Sequence, residues 1–112
     1  MTATLRAGNA ELMTLKVSPA IAFAPANLIV RAMIDADARN RTIEVVAEST
    51  DFYRSSEIQL EGDKAPRTST FEFRSLPSGT YEVTATVRDA SGEARAAVRS
   101  HVSVLAADGE RR

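Results

Sequence analysis

A regular alternation of apolar and polar residues between two turn sequences constrains the fold of this chain more than any other feature. Residues 76–79 and 89–92 are rich in Gly, Pro, Ser and Asp, which is typical of tight turns. Between them, four apolar residues alternate with four polar ones: Tyr81, Val83, Ala85 and Val87 with Glu82, Thr84, Thr86 and Arg88. Because residues two apart lie on the same face of a strand, the segment is predicted to be a β-strand with one buried face.

The same period of two recurs in six further segments, at residues 13–17, 28–34, 43–47, 58–60, 71–73 and 94–104. Segments 32–41 and 93–99 contain enough alanine and charge for a helix, but β-branched residues surround them and neither has caps at both ends. Seven strands with one apolar face each need two sheets packed face to face. The prediction is an all-β, seven-stranded antiparallel sandwich.

Length and composition limit the function classes. The 112 residues fit one domain, predicted at 11–105 between flexible segments 1–10 and 106–112. A net charge of −1 argues against nucleic-acid binding, and the absence of cysteine excludes disulfides and thiolate metal sites within this chain. The longest apolar run, 20–26, is short and contains Pro25, so no membrane insertion is expected. Residues 1–10 lack the pattern of a signal peptide.

The turn before the clearest strand carries a specific resemblance. Leu76, Gly79 and Tyr81 resemble the corner of fibronectin type III and related immunoglobulin-like modules, where the tyrosine hydroxyl bonds back to the corner backbone. Residues 83–92 resemble the end of bacterial immunoglobulin-like and PKD-like surface domains. The likeness covers about residues 12–105 by strand order, although the cysteine pair and core tryptophan of true immunoglobulin domains are absent. It implies an immunoglobulin-like sandwich of two sheets.

The resemblance also implies a function. Domains of this kind more often bind or space than catalyse, so the expectation is a non-catalytic module that spaces, presents or mediates protein–protein contacts. It would do so within a larger extracytoplasmic bacterial protein or assembly, in the periplasm, on the cell surface or secreted. The alternative is a carbohydrate-binding module of a glycoside-active enzyme, and a weaker one is a small hydrolase. A protein partner is expected, with carbohydrate as the alternative ligand.

Residues suited to catalysis are few. His101 is the only histidine, and with Arg95 and Arg99 it is predicted to face outward on the last strand. A general base or a zinc ligand needs partners, and neither a phosphate-binding loop nor a nucleophile-elbow motif occurs. The prediction is that the chain is not an enzyme and uses no cofactor.

Carboxylates cluster at one predicted end of the sandwich. The loops after the second, fourth and sixth strands share that end and contain Asp35 and Asp37, Glu61 and Asp63, and Asp89 and Glu93, respectively. Carboxylate oxygens suit calcium, and Asp35, Asp37 and Asp89 are the candidates. Aspartate also favours turns through local hydrogen bonds, and arginines are interleaved with these carboxylates. The three residues are therefore weak metal candidates, and no metal site is expected.

The opposite end contains two adjacent aromatic residues. Phe52, Tyr53 and Arg54 lie in the predicted connection between the third and fourth strands. Two neighbouring side chains of an extended segment cannot both point inward, so one faces solvent or the sheet edge. Aromatic residues beside an arginine are typical contact residues, which makes these three the binding candidates. The alternative is that Phe52 plugs the end of the core while Tyr53 covers the sheet edge.

Overall fold

The computed structural model describes residues 12–106, and the elements there are almost entirely strands. The expected flexible segments, 1–10 and most of 106–112, lie outside this range. No helix within it is long and apolar enough to cross a membrane. The strands are β1 (Met13–Ser18), β2 (Ile21–Phe23), β3 (Ala26–Ile34), β4 (Thr42–Glu48), β5 (Tyr53–Gln59), β6 (Thr68–Leu76), β7 (Gly79–Arg88) and β8 (Ala94–Leu105), with a 3-10 turn at Gly62–Lys64.

The strands form two sheets, which confirms the predicted β-sandwich. One sheet has the order β1-β3-β6, and the other has the order β2-β8-β7-β4-β5 with β7 in the middle. All neighbouring strands are antiparallel except β2 and β8, which run parallel. The strand count of seven is wrong, because residues 12–106 alone form eight strands.

The core lies between the inner faces of the two sheets. In β3 and β7, the apolar positions are buried and the intervening positions are not, as the alternation predicts. The largest fully buried side chains include Tyr81, Phe73 and Leu28. Each such side chain contributes about 1.5–3 kcal/mol by leaving water, so one apolar face per strand is enough to hold the sheets together.

The missed strand is β2, and its sequence explains why. It has only three residues and is flanked by Pro19 and Pro25, both preceded by cis peptide bonds. Ala22 alone packs against the core, while Ile21 and Phe23 face solvent. The rule that apolar residues are buried therefore predicts the wrong side of this segment to face the core. Its pairing with β8 becomes evident only from the fold.

The strand β5 begins earlier than predicted. The expected fourth strand covered Ile58 and Leu60, whereas β5 runs from Tyr53 to Gln59. It is an edge strand in which only Ile58 is half-buried, and Leu60 lies just beyond its end. A strand that lies at the edge and buries almost nothing leaves no alternation in the sequence.

The corner before β7 is closed by Tyr81. Its hydroxyl donates a hydrogen bond to the Pro77 carbonyl oxygen at 2.7 Å, the geometry of a tyrosine corner. Gly79 has a φ of +153°, and a Cβ there would lie 3.3 Å from the Ser49 Cβ. This corner fixes the start of the central strand of the larger sheet.

Candidate functional site

The loops predicted to share one end of the sandwich do so. The loop 35–41 is joined to the chain after β5 by the Gly62 amide, which donates to the Asn40 carbonyl oxygen at 3.0 Å. It is joined to the end of β7 by the Arg41 amide, which donates to the Arg88 carbonyl oxygen at 2.9 Å. The candidate carboxylates Asp35, Asp37 and Asp89 therefore lie at the same end.

Asp37 is the centre of a hydrogen-bonded cluster that holds its loop against β8. Its carboxylate accepts bonds from Arg39 Nε at 3.1 Å and Nη2 at 3.0 Å, and from Arg95 Nη2 at 3.2 Å. The buried Asn40 accepts a further bond from Arg95 and donates to the Asp35 carbonyl oxygen at 3.0 Å. The hydrogen bonds from Arg39 hold the pKa of Asp37 well below its ordinary value of 3.8, helped by the charge of Arg95.

The position of Arg95 corrects the expectation that it faces outward beside Arg99 and His101. Its side chain is largely buried within the Asp37 cluster. The pairing of β7 with β8 shifts register here, since Val87 faces Ala96 and Arg88 faces Ala94. An extra residue in one strand turns its side chain away from the regular alternation, which explains the difference.

Asp89 organises the loop between β7 and β8. Its Oδ1 accepts hydrogen bonds from the Ser91 hydroxyl at 2.6 Å, the Ser91 amide at 2.9 Å and the Glu93 amide at 3.1 Å. The bond from the Ser91 side chain is the main cause that lowers the pKa of Asp89. This is the local bonding that makes aspartate a turn former.

The described residues bring no metal-binding group together. Within 12–106, no three His, Cys, Asp or Glu side chains are placed to hold a metal ion. Asp37 and Asp89 direct their carboxylates at their own loops, and Asp35 contributes its backbone to the cluster. The expectation of no calcium site stays a prediction.

The structure separates the three predicted contact residues. Phe52 is half-buried, and its ring packs edge-on against Tyr81 with the centroids 6.1 Å apart. The Arg54 guanidinium carbon lies 5.0 Å from the Phe52 ring centroid, and Arg54 Nη1 donates to the Arg74 carbonyl oxygen at 2.9 Å. Phe52 and Arg54 thus close the end of the core and connect β5 to the other sheet. Tyr53 points away from them and is 59% exposed.

Tyr53 lies on the side of the five-stranded sheet that points away from the core, which we call the outer face. The strand register places His101, Glu82, Glu48 and Tyr53 side by side in one row across it. The next row consists of Arg99, Thr84, Val46 and Ser55. Arg99 Nε and His101 Nε2 each lie 3.8 Å from Glu82 Oε2. Arg99 and His101 thus lie on β8, Glu44 and Glu48 on β4 and Glu57 on β5, and Glu44 Oε1 lies 3.5 Å from Nη2 of Arg88 on β7.

Three large apolar side chains occupy the β2 edge of the outer face and were missed by sequence reasoning. Ile21 is 65% exposed, Phe23 is 64% exposed and Leu105 is 44% exposed. The parallel pairing sets Phe23 beside Leu105 on the same side of the sheet. We call these three residues the β2 patch. The alternation of Ile21 and Phe23 with alanines was the available signal.

The solvent-facing side of the three-stranded sheet differs from the outer face in its exposed residues. Met33 is 41% exposed and lies with Leu12 and Arg67 beside a cavity of about 350 Å³ that opens to solvent. Along the strands, Lys16 pairs with Arg31, so two cations stand side by side.

Comparisons with known proteins identify the fold. No protein-family model and no curated protein matches the chain. A superoxide reductase (neelaredoxin) from Ignicoccus hospitalis is 16% identical, with a TM-score of 0.60 over 82% of this chain and 79% of that one. Fibronectin(III)-like modules of Clostridium thermocellum CbhA are 14% identical, with a TM-score of 0.54 over 84% and 99%. The CARDB domain of the Pyrococcus furiosus PF1109 protein is 16% identical, with a TM-score of 0.52 over 85% and 94%.

These similarities support the immunoglobulin-like part of the predicted resemblance. The chain has an all-β, immunoglobulin-like fold similar to fibronectin(III)-like modules and to a CARDB domain. Identities of 14–16% show a shared fold and carry no activity from those proteins to this one.

The predicted function, a non-catalytic module that spaces, presents or mediates protein–protein contacts within a larger extracytoplasmic bacterial protein or assembly, is wrong as an assignment from the fold. Superoxide reductases have the same fold over most of both chains, so the fold gives no ground for that assignment. The strand pattern determines which side chains are buried and hence the sandwich, whereas chemistry depends on side chains in loops and on faces. Function has to be argued from the surface of this chain.

Proposed function

We propose that the outer face is the surface through which this chain binds another protein. The observation that carries the proposal is the β2 patch, where Ile21 and Phe23 are each about two-thirds exposed. Apolar surface gains about 25 cal/mol per Å² when it leaves water, and adjacent exposed apolar side chains are typical of contact sites. The β2 patch would gain this free energy under a partner.

The second support is the aromatic residue at the opposite edge of the same face. Tyr53 lies on β5, four strands away from β2. Neighbouring strands are about 4.8 Å apart, so roughly 20 Å separates the two apolar edges. A contact of that width suits a protein better than a single sugar ring. Aromatic residues also carry much of the binding energy at protein interfaces.

Of the predicted binding residues, the proposal uses Tyr53 as a direct contact. Phe52 and Arg54 close the end of the core and thereby hold in place the strand that carries Tyr53. We also propose that this chain is related to bacterial PKD-like surface domains and that it is located outside the cytoplasm. The support for both is the resemblance of residues 83–92.

The proposal includes the expectation that the chain itself is not an enzyme. Reduction of superoxide needs a redox-active group, and imidazole and thiolate are the side chains that most often bind transition metals. The chain has one histidine and no cysteine, and His101 Nε2 lies 3.8 Å from Glu82 Oε2 on an open face. We expect no superoxide consumption above a buffer control after addition of Fe²⁺. A protein-dependent rate would contradict this expectation.

A photo-crosslinking experiment tests the contact surface. A benzophenone amino acid replaces Phe23 in one variant and Met33, exposed on the other sheet, in the matched control. After irradiation in the native host, we expect a protein adduct from position 23 and none from position 33. No adduct at 23, or equal adducts at both positions, would show that the outer face is not the contact surface.

A further inference from the structure

We propose that the protein bound by the outer face is a second copy of this chain, related to the first by a two-fold axis parallel to β7. The inference rests on the proposed function, because it names the partner of the same surface. Its basis is that the outer face is complementary to itself in strand order, apolar side chains and charge.

The strand order is the first part of the argument. β7 is the middle strand, with β8 and β2 on one side and β4 and β5 on the other. Rotation by 180° about an axis parallel to β7 and lying between two such faces exchanges the two sides. It places β8 of one copy over β4 of the other, and β2 over β5. A two-fold contact uses the same surface on both copies, as this arrangement does.

The apolar side chains match under this rotation. Ile21 at the β2 edge of one copy comes nearest to Tyr53 at the β5 edge of the other. Ile21 lies one row above Tyr53 along the strands, because it pairs with Ser103, two residues beyond His101. This offset is within the reach of an aromatic side chain, and packed sheets are rotated by about 30°. Phe23 and Leu105 lie two rows beyond Tyr53, past the first residue of β5, so they face the turn 49–52 of the other copy.

The charges match as well. His101 lies in the same row as Glu48, so the rotation sets these two residues opposite each other. Arg99 lies one row further along, between the rows of Glu48 and Glu44. Arg99 and the His101 imidazole, both able to donate hydrogen bonds to carboxylates, therefore lie opposite β4, and the contact occurs twice.

The middle of the face allows the approach of two sheets. Thr84, Thr86, Val46 and Ala97 are short side chains on its central strands. Two charged residues of β7, Glu82 and Arg88, lie near the axis. Arg99 and His101 of the same chain lie 3.8 Å from the Glu82 carboxylate, and Arg88 Nη2 lies 3.5 Å from Glu44 Oε1. The face measures roughly 20 Å by 30 Å, of the order of the about 800 Å² that each partner contributes to a standard interface.

Sedimentation with charge-reversed variants tests the inference. Wild type should sediment as a dimer at micromolar concentration. The cation-reversed variant (Arg99→Glu with His101→Glu) and the anion-reversed variant (Glu44→Lys with Glu48→Lys) should each dimerise at least tenfold more weakly. Lys16→Glu with Arg31→Glu on the other sheet is the matched control and should dimerise like wild type. Thermal melts establish that each variant is folded.

Mixing the two reversed variants is the decisive step. In a mixed pair, the new glutamates on β8 face the new lysines on β4, and the remaining contacts are native. We expect the mixture to recover the dimer. A monomeric wild type, unchanged self-association of both variants, or no recovery on mixing of the folded variants would overturn the inference.

The outcomes separate this inference from the proposed function. A monomeric wild type together with an adduct between position 23 and a different protein would remove the second copy and leave the outer face as a contact surface. A dimer that crosslinks through position 33 and not through position 23 would overturn both proposals.

Discussion

The solvent-facing sides of the two sheets cover the same core but differ in how their charged and apolar side chains are distributed. On the three-stranded sheet, the exposed charges of the strands are three cations and one carboxylate: Lys16, Arg31, Arg74 and Glu72. Two copies of that face would bring like charges together. On the five-stranded sheet, Arg99 and His101 lie on one side of β7 and Glu44, Glu48 and Glu57 on the other, with Glu82 and Arg88 on β7 itself, and large apolar residues lie at both edges.

This difference shows where information about function lies in an immunoglobulin-like sandwich. The inner faces follow the alternation that any such sandwich needs, which explains the similarity to proteins as different as a superoxide reductase and a CARDB domain. The outer positions are free of that requirement. Their arrangement is therefore specific to this chain and is the appropriate target for mutation.

The largest expected effect is the loss of association when a charge enters the β2 patch. Ile21→Glu should raise the dimer dissociation constant at least 100-fold, because a carboxylate would lose its hydration within an apolar contact. Met33→Glu, at a partly exposed residue of the other face, should change it less than threefold. Analytical ultracentrifugation measures both constants. Equal weakening by the two substitutions would remove the distinction between the faces.

A change in the shared core should affect stability without distinguishing the faces. Gly79→Val places a Cβ near Ser49 at a positive φ and should lower the free energy of unfolding by about 2 kcal/mol. Tyr81→Phe removes the hydrogen bond to Pro77 and should cost about 1 kcal/mol. Urea denaturation gives both values. Wild-type midpoints in both variants would show that the corner does not hold β7.

A smaller effect should come from Asp37, which anchors its loop to β8, the strand that carries the cations of the outer face. Because folding lowers the pKa of Asp37, its contribution to stability is present above about pH 4 and is lost as the pH falls through the folded-state pKa. Asp37→Asn should therefore be less stable than wild type at pH 7, with the difference shrinking below pH 4. Denaturant midpoints across this range measure it, with Asp51→Asn as the exposed control. A difference independent of pH would contradict the assignment.

The smallest expected effect is that of calcium. Asp37 and Asp89 already accept hydrogen bonds from their own loops, so millimolar calcium should leave the melting temperature unchanged. A ligand that binds the native state alone raises stability as its concentration passes the dissociation constant. A saturable rise that Asp37→Asn and Asp89→Asn abolish would reveal a metal site at the loop end.

Most of the fold could be predicted from the sequence because most strands bury one face. The alternation located β1, β3, β4, β6, β7 and β8, and the turn before Tyr81 indicated the type of sandwich. β2 and the first half of β5 could not be found in this way, since edge strands with exposed side chains carry no signal of burial.

The candidate site was less accessible to sequence reasoning. Tyr53 was selected because adjacent aromatics cannot both face inward, and it does lie on the outer face. Phe52 and Arg54 pack against the end of the core, which depends on the position of Tyr81 and Arg74 in other strands. The β2 patch and the separation of charges across β7 arise from strand order and register, which local spacing does not contain.

The parallel pairing of β2 with β8 has a mechanical consequence. Strand β1 begins at Met13 beside the loops of one end, and β8 ends at Leu105 at the opposite end. Tension applied at these two points pulls β2 and β8 in opposite directions along their common axis. The hydrogen bonds between them, including those of Ser103 to Ala20 and Ala24 to Leu105, are then loaded together in shear and are not opened one at a time. The three-residue strand β2 thereby resists stretching of the whole sandwich.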